Sequence, residues 1–146
     1  MEFIKNNICN KSIEEVYAFF LDQKNLLRMF GADVFEIEII EGGEIVIPVD
    51  INGVKSTILG EMTLLIPNER FSFSWNEKQG RRERWSTPTM VNFFFNKGKD
   101  GTEIRLEHTG FEYLPQDEQQ EVFDRYKIYW ETSGVLQKIV RGIEES

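Results

Sequence analysis

Only one cysteine, Cys9, and one histidine, His108, occur among the 146 residues. A lone cysteine closes no internal disulfide, and the two together cannot supply the ligand sets of the usual zinc sites. No metal and no cofactor are therefore expected. Positive charge is also scarce, with 17 Lys and Arg against 25 Asp and Glu and a net charge of -8. Such a balance repels phosphate backbones and anionic lipid surfaces, so neither nucleic acid nor a membrane is an expected partner. Apolar runs are short, and none is long enough to span a bilayer. No Pro/Gly/Ser-rich linker and no repeat divides the chain, so one domain over residues 1–146 is expected. The opening MEFIKNNICNKS has no basic region followed by an apolar run. No secretory leader is expected, and with the single cysteine this points to the cytoplasm. Nucleophile elbows, phosphate loops and dinucleotide fingerprints are missing too.

Aromatic residues are plentiful: 12 Phe, 4 Tyr and 3 Trp. Bulk of this kind fills a core or lines a pocket for a flat, apolar molecule.

Hydrophobic periodicity predicts the order of elements. Residues 3–9 alternate loosely as a first strand. Ser12 with Glu15 forms a capping box for an amphipathic helix over 13–21, and a second short helix over 24–30 stops at Gly31. Six strands in hairpins follow, over 34–40, 44–51, 54–66, 70–76, 88–96 and 102–109. Gly42-Gly43 and Asn52-Gly53 supply tight turns, and the third strand of this set is expected to bend near Gly60. Charged residues 77–86 read as an exposed loop. From Pro115 to about Ile143, the residues Val122, Tyr126, Tyr129, Ser133, Leu136, Val140 and Ile143 recur as one helical stripe. Consecutive strands with short turns form an antiparallel sheet, and only the long final helix is large enough to cover its apolar face. The fold class expected is α+β: a curved antiparallel sheet on a long C-terminal helix, with two short helices after the first strand.

Several motifs occur in a suggestive order. They are Ser12-Ile13-Glu14-Glu15-Val16; Phe35 followed by Gly42-Gly43; Gly60-Glu61-Met62 leading to Pro67-Asn68-Glu69-Arg70-Phe71; Phe73-Ser74-Trp75; Gly101-Thr102 with Leu106, His108 and Gly110; and Trp130. Together they resemble the family named after the activator of the heat-shock protein 90 ATPase, within the START-like (SRPBCC) superfamily. The resemblance implies a helix-grip fold with a cavity between sheet and helix. It does not imply one activity, since the superfamily includes lipid and hormone binders, polyketide cyclases and chaperone activators. The final helix departs from the family pattern, with Tyr129 before Trp130 and Gly134 and Gln137 after it.

Candidate site residues follow from these placements. Phe73, Trp75, Phe93, Tyr126 and Trp130 are either core packing or pocket walls. Ser133 and Gly134 interrupt the helical stripe with small residues, leaving either a close helix–sheet contact or a gap for a ligand. His108 points the same way as Ile104 and Leu106, away from Glu107 and Thr109, so the sequence offers it no orienting partner. Arg81, Arg82, Glu83 and Arg84 read as a solvated loop or the rim of a cavity mouth. Cys9 reads as a small buried residue. The expected function is binding of a small, largely apolar molecule without chemistry. The alternatives are a cyclase or hydrolase using His108, and a domain contacting a chaperone or a second copy of the chain.

Overall fold

The computed structural model of the chain describes residues 1–31, 36–78 and 85–146. Strand β1 (Phe3–Cys9) leads into helix α1 (Ile13–Phe20). The Ser12 hydroxyl accepts from Glu15 N at 3.2 Å, the first half of the expected capping box, and donates to the Glu15 carboxylate at 3.1 Å. Helix α2 (Gln23–Phe30) ends at Gly31 in the left-handed conformation, with φ 65°.

The sheet continues through β2 (Glu36–Ile37), β3 (Glu44–Ile51), β4 (Val54–Ile66), β5 (Arg70–Lys78), β6 (Thr89–Lys97) and β7 (Thr102–Thr109). Every adjacent pair is antiparallel, in the order β1-β7-β6-β5-β4-β3-β2. This is the expected helix-grip sheet. Alternation sets its two faces: Phe71, Phe73 and Trp75 on β5 and Ile104, Leu106 and His108 on β7 all point inward and are buried.

Three expectations need correction. Of the strand predicted over 34–40, the described part is the two residues of β2, and Phe35 lies outside the described residues. In β4 the register shifts between Met62 and Leu64, and the ladder to β5 already skips Gly60 and Glu61, so the irregularity extends beyond the bend expected near Gly60. Gly60 is required for another reason: a Cβ there would sit 2.0 Å from the Ser74 carbonyl oxygen of β5. Finally, β5 runs on to Lys78, so Glu77 belongs to a strand and not to an exposed loop.

The C-terminal stripe is helical but bent. After a short 3₁₀ turn at Phe111–Tyr113, helix α3 (Gln119–Ser133) starts four residues later than Pro115. Gly134 takes φ 65°, and α4 (Val135–Glu144) follows. The break rotates the apolar stripe. Val122, Tyr126, Tyr129 and Trp130 face inward from α3, and Val135, Leu136, Ile139, Val140 and Ile143 from α4. Of the seven residues in the expected stripe, Val122, Tyr126, Tyr129, Leu136, Val140 and Ile143 are buried and Ser133 is half-buried. Among the described residues, no helix is long and apolar enough to cross a membrane.

Candidate ligand-binding site

Trp75 sits at the centre of an aromatic cluster between the sheet and α3. Its ring centroid lies 5.4 Å from that of Trp130, 5.8 Å from those of Tyr126 and His108, 5.9 Å from Phe30 and 6.2 Å from Phe73. Strand alternation brings in Phe73, Trp75 and His108, and one face of α3 brings in Tyr126 and Trp130. The sequence-derived candidates thus converge, apart from Phe93 and the helix break. Phe93 is buried one layer away from Trp75, against Phe20 at 4.9 Å between centroids, where it lines a small void together with Phe30 and Phe73. Ser133 and Gly134 do not open a gap in this cluster. Gly134 makes the backbone turn between α3 and α4, and the Ser133 hydroxyl is buried without a hydrogen-bond partner among the described residues.

His108 is fully engaged. Its Nε2 is 2.7 Å from the Thr89 hydroxyl, which itself donates to the Trp75 carbonyl at 2.9 Å. The Thr89 proton is thereby committed, so Nε2 must carry the hydrogen and donate. The other nitrogen, Nδ1, accepts from Trp130 Nε1–H at 3.0 Å. These two bonds select the neutral Nε2–H tautomer and leave no free lone pair. Complete burial pushes the same way, holding the imidazole pKa down at about 3. The orienting partners missing from the local sequence come from β6 and α3.

One group that the sequence reading placed in solvent is part of this interior. Glu77 is buried, accepts from Arg125 Nη1 at 2.6 Å, and accepts the Tyr126 hydroxyl proton on its other oxygen. Burial, followed by the Glu77 charge, holds the Tyr126 phenol well above its ordinary pKa, so it stays a donor. The signal was present in the sequence: the period-two alternation of 71, 73 and 75 extends to 77 on the inward face. Asn76, on the outward face, brackets Trp85 by accepting from its N and donating to its O, both at 2.8 Å. Arg81, Arg82, Glu83 and Arg84 lie outside the described residues.

Trp75 Nε1–H lies near enough to the Tyr126 hydroxyl to favour its phenolate, yet it does not reach hydrogen-bond geometry. It is a fully buried donor without a partner among the described residues. A void of about 10 Å³ lies beside the cluster, lined by Leu26, Met29, Met62, Phe30, Phe73 and neighbouring apolar side chains. Phe30 and Phe73 therefore separate this void from the Trp75 ring.

Residues 10–132 match the family described as activator of Hsp90 ATPase homolog 1-like protein. The chain belongs to this activator of Hsp90 ATPase homolog 1-like family. Solved structures agree on the fold of this family member. MLL2253 from Mesorhizobium loti superposes with a TM-score of 0.76 at 15% identity, covering 100% of this chain and 98% of that one. SA2116 from Staphylococcus aureus gives 0.70 at 20% identity, covering 99% and 94%. CalU16 from Micromonospora echinospora gives 0.63 at 19%, covering 99% and 81%. No curated protein matches the chain. The matched region of the activator-like domain contains Trp75, Glu77, Thr89, His108, Tyr126 and Trp130, and stops just before Ser133 and Gly134.

Proposed function

We propose that this activator-like domain binds a small, largely apolar molecule between its sheet and helices α2 and α3, without chemical conversion. The observation that carries the reading is the Trp75 indole N–H. A buried donor without an acceptor costs roughly 1–3 kcal/mol, a cost that a ligand's acceptor would recover. An aromatic or aliphatic molecule with one hydrogen-bond acceptor would satisfy Trp75 Nε1–H while its body lies on Phe30, Phe73 and Tyr126. Ligand sites usually measure on the order of 300–1,000 Å³, so binding requires the interior to widen beyond the void of about 10 Å³. Met29 and Met62 flank that void, and unbranched methionines re-pack more readily than branched side chains.

Binding is favoured over conversion by the state of His108. A cyclase or hydrolase using it would need a nitrogen free to take a proton, and both are engaged. A chaperone-directed role rests on the family description alone.

The test is extraction of the purified protein and identification of co-purified small molecules by mass spectrometry. A stoichiometric molecule with an apolar body and one acceptor supports the reading. Titrating that molecule into Trp75→Phe should weaken binding about tenfold, or 1.4 kcal/mol. Unchanged affinity would show that Trp75 is not the anchor.

A further inference from the structure

A second concavity lies apart from the aromatic interior, where α4 crosses α1 and α2. Its volume is about 380 Å³, within the range of small-molecule sites. Arg28 from α2 and Lys138 and Arg141 from α4 line it, against the Glu145 carboxylate and the last residue of the chain, Ser146. On a chain of net charge -8, this is a local excess of cations. Among the described residues, none of the three forms an ion pair.

Helix dipoles explain part of this arrangement. Arg28 and Arg141 lie in the last turns of α2 and α4, where a cation offsets the exposed carbonyls. That effect accounts for one cation on each helix. It does not account for Lys138, a turn further in, nor for the convergence of all three on one groove. Like charges sharing a cleft repel, and an anion seated among them converts that repulsion into attraction. Screening confines the gain to an anion inside the groove, since the Debye length is about 8 Å at physiological salt.

Apolar surface is also exposed in the groove. That surface is mainly the half-buried Phe19, with the buried Met29 beneath it, and the Phe19 ring lies against Gly142 so closely that a Cβ there would be 2.9 Å from Phe19 Cζ. A glycine inside a helix costs about 1 kcal/mol relative to alanine, so this contact gives Gly142 its reason. The lining thus combines a cationic rim with an aromatic floor.

We infer that the groove between α1, α2 and α4 binds a small amphipathic anion, an aryl phosphate or aryl carboxylate whose ring rests on Phe19 and Met29 and whose head group meets Arg28, Lys138 and Arg141. The groove shares Met29 with the interior void, but Phe19 and the three cations line the groove alone, so the two readings are told apart by which amides respond.

The probes are phenyl phosphate, benzoate and neutral benzyl alcohol, titrated into the ¹⁵N-labelled protein and followed by NMR. Saturable shifts are expected at the amides of Arg28, Lys138 and Gly142 with either anion, and none with benzyl alcohol. Response to both anions identifies an anionic head on a ring as the recognised class; response to phenyl phosphate alone narrows it to the doubly charged head. Affinity should fall at least tenfold in Arg28→Gln/Arg141→Gln and weaken in 0.5 M salt. The inference is overturned by the lack of saturable shifts, by shifts that survive the double substitution, by equal binding of benzyl alcohol, or by shifts at the Trp75 indole alone. The last outcome would report binding in the interior instead.

Discussion

Trp130 Nε1–H donates to His108 Nδ1 at 3.0 Å and so joins α3 to β7 through a bond that exists only while the imidazole is neutral at that nitrogen. The bond couples protonation of the one histidine to the seating of the helix over the sheet.

This gives a pH dependence of defined sign. The unfolded histidine titrates near 6.5, whereas the folded one is held at about 3. Between these values the unfolded state binds the proton and the folded state does not, so stability falls as pH drops from 6.5 toward 3. At pH 5 the loss attributable to His108 is on the order of 2 kcal/mol. Urea unfolding at pH 7.5 and pH 5 should show this difference in the wild type, and His108→Gln should remove it while the carboxylate contribution remains. An equal pH dependence in both proteins would contradict the buried, neutral assignment. Loss of a measured turnover in His108→Gln with the fold intact would instead favour catalysis.

Glu77 should be far more important than its place in a charged stretch suggests. Its side chain is 2% exposed, and Arg125 beside it is 18% exposed. Removing one partner of such a pair strands the other charge, so Glu77→Ala should cost about 3 kcal/mol or more in chemical denaturation. Glu77→Ala combined with Tyr126→Phe should cost less than the sum of the two single changes, because both touch the same hydrogen bond. Strict additivity would mean that the Tyr126–Glu77 contact contributes nothing.

The sequence reading set Gly134 inside a continuous helix, as either a close contact or a gap for a ligand. Its φ of 65° makes it a turn between two helices instead. The nearest atom to a Cβ built there is Gln137 Oε1 at 3.9 Å, so crowding is not the obstacle. Backbone strain is, and Gly134→Leu or Gly134→Ala should lower stability by roughly 1–2 kcal/mol. Gly134→Asn should be milder, since asparagine tolerates the left-handed region. A rise in melting temperature for Gly134→Ala would count against the break between α3 and α4.

Leu136, 1% exposed in the first turn of α4, is a packing residue without a polar role. Leu136→Ala should cost about 2–5 kcal/mol by equilibrium unfolding. A cost below 1 kcal/mol would mean that α4 does not seat on the core as described.

The element order, the hairpins, the Ser12 cap and the inward faces of β5 and β7 follow from the sequence by itself. Periods of 2.0 and 3.6 and the chemistry of caps and turns are local properties, written within a few residues of where they act. Family membership was legible for the same reason, since short motifs recur in order. Tertiary structure decided what those inward-facing residues do. His108 looked partnerless because its partners, Thr89 and Trp130, are 19 and 22 positions away and arrive on a neighbouring strand and a helix. Glu77 looked solvated because it opens a charged run, and only α3, bringing Arg125 and Tyr126 from 48 and 49 positions on, makes its burial tolerable. The break at Gly134 was hidden because a glycine letter is the same for right-handed and left-handed backbone, and the choice follows from two helix faces meeting one curved sheet. The indole of Trp75, unpartnered among the described residues, belongs to this second class, for a missing hydrogen bond is a relation among distant groups that no local pattern records.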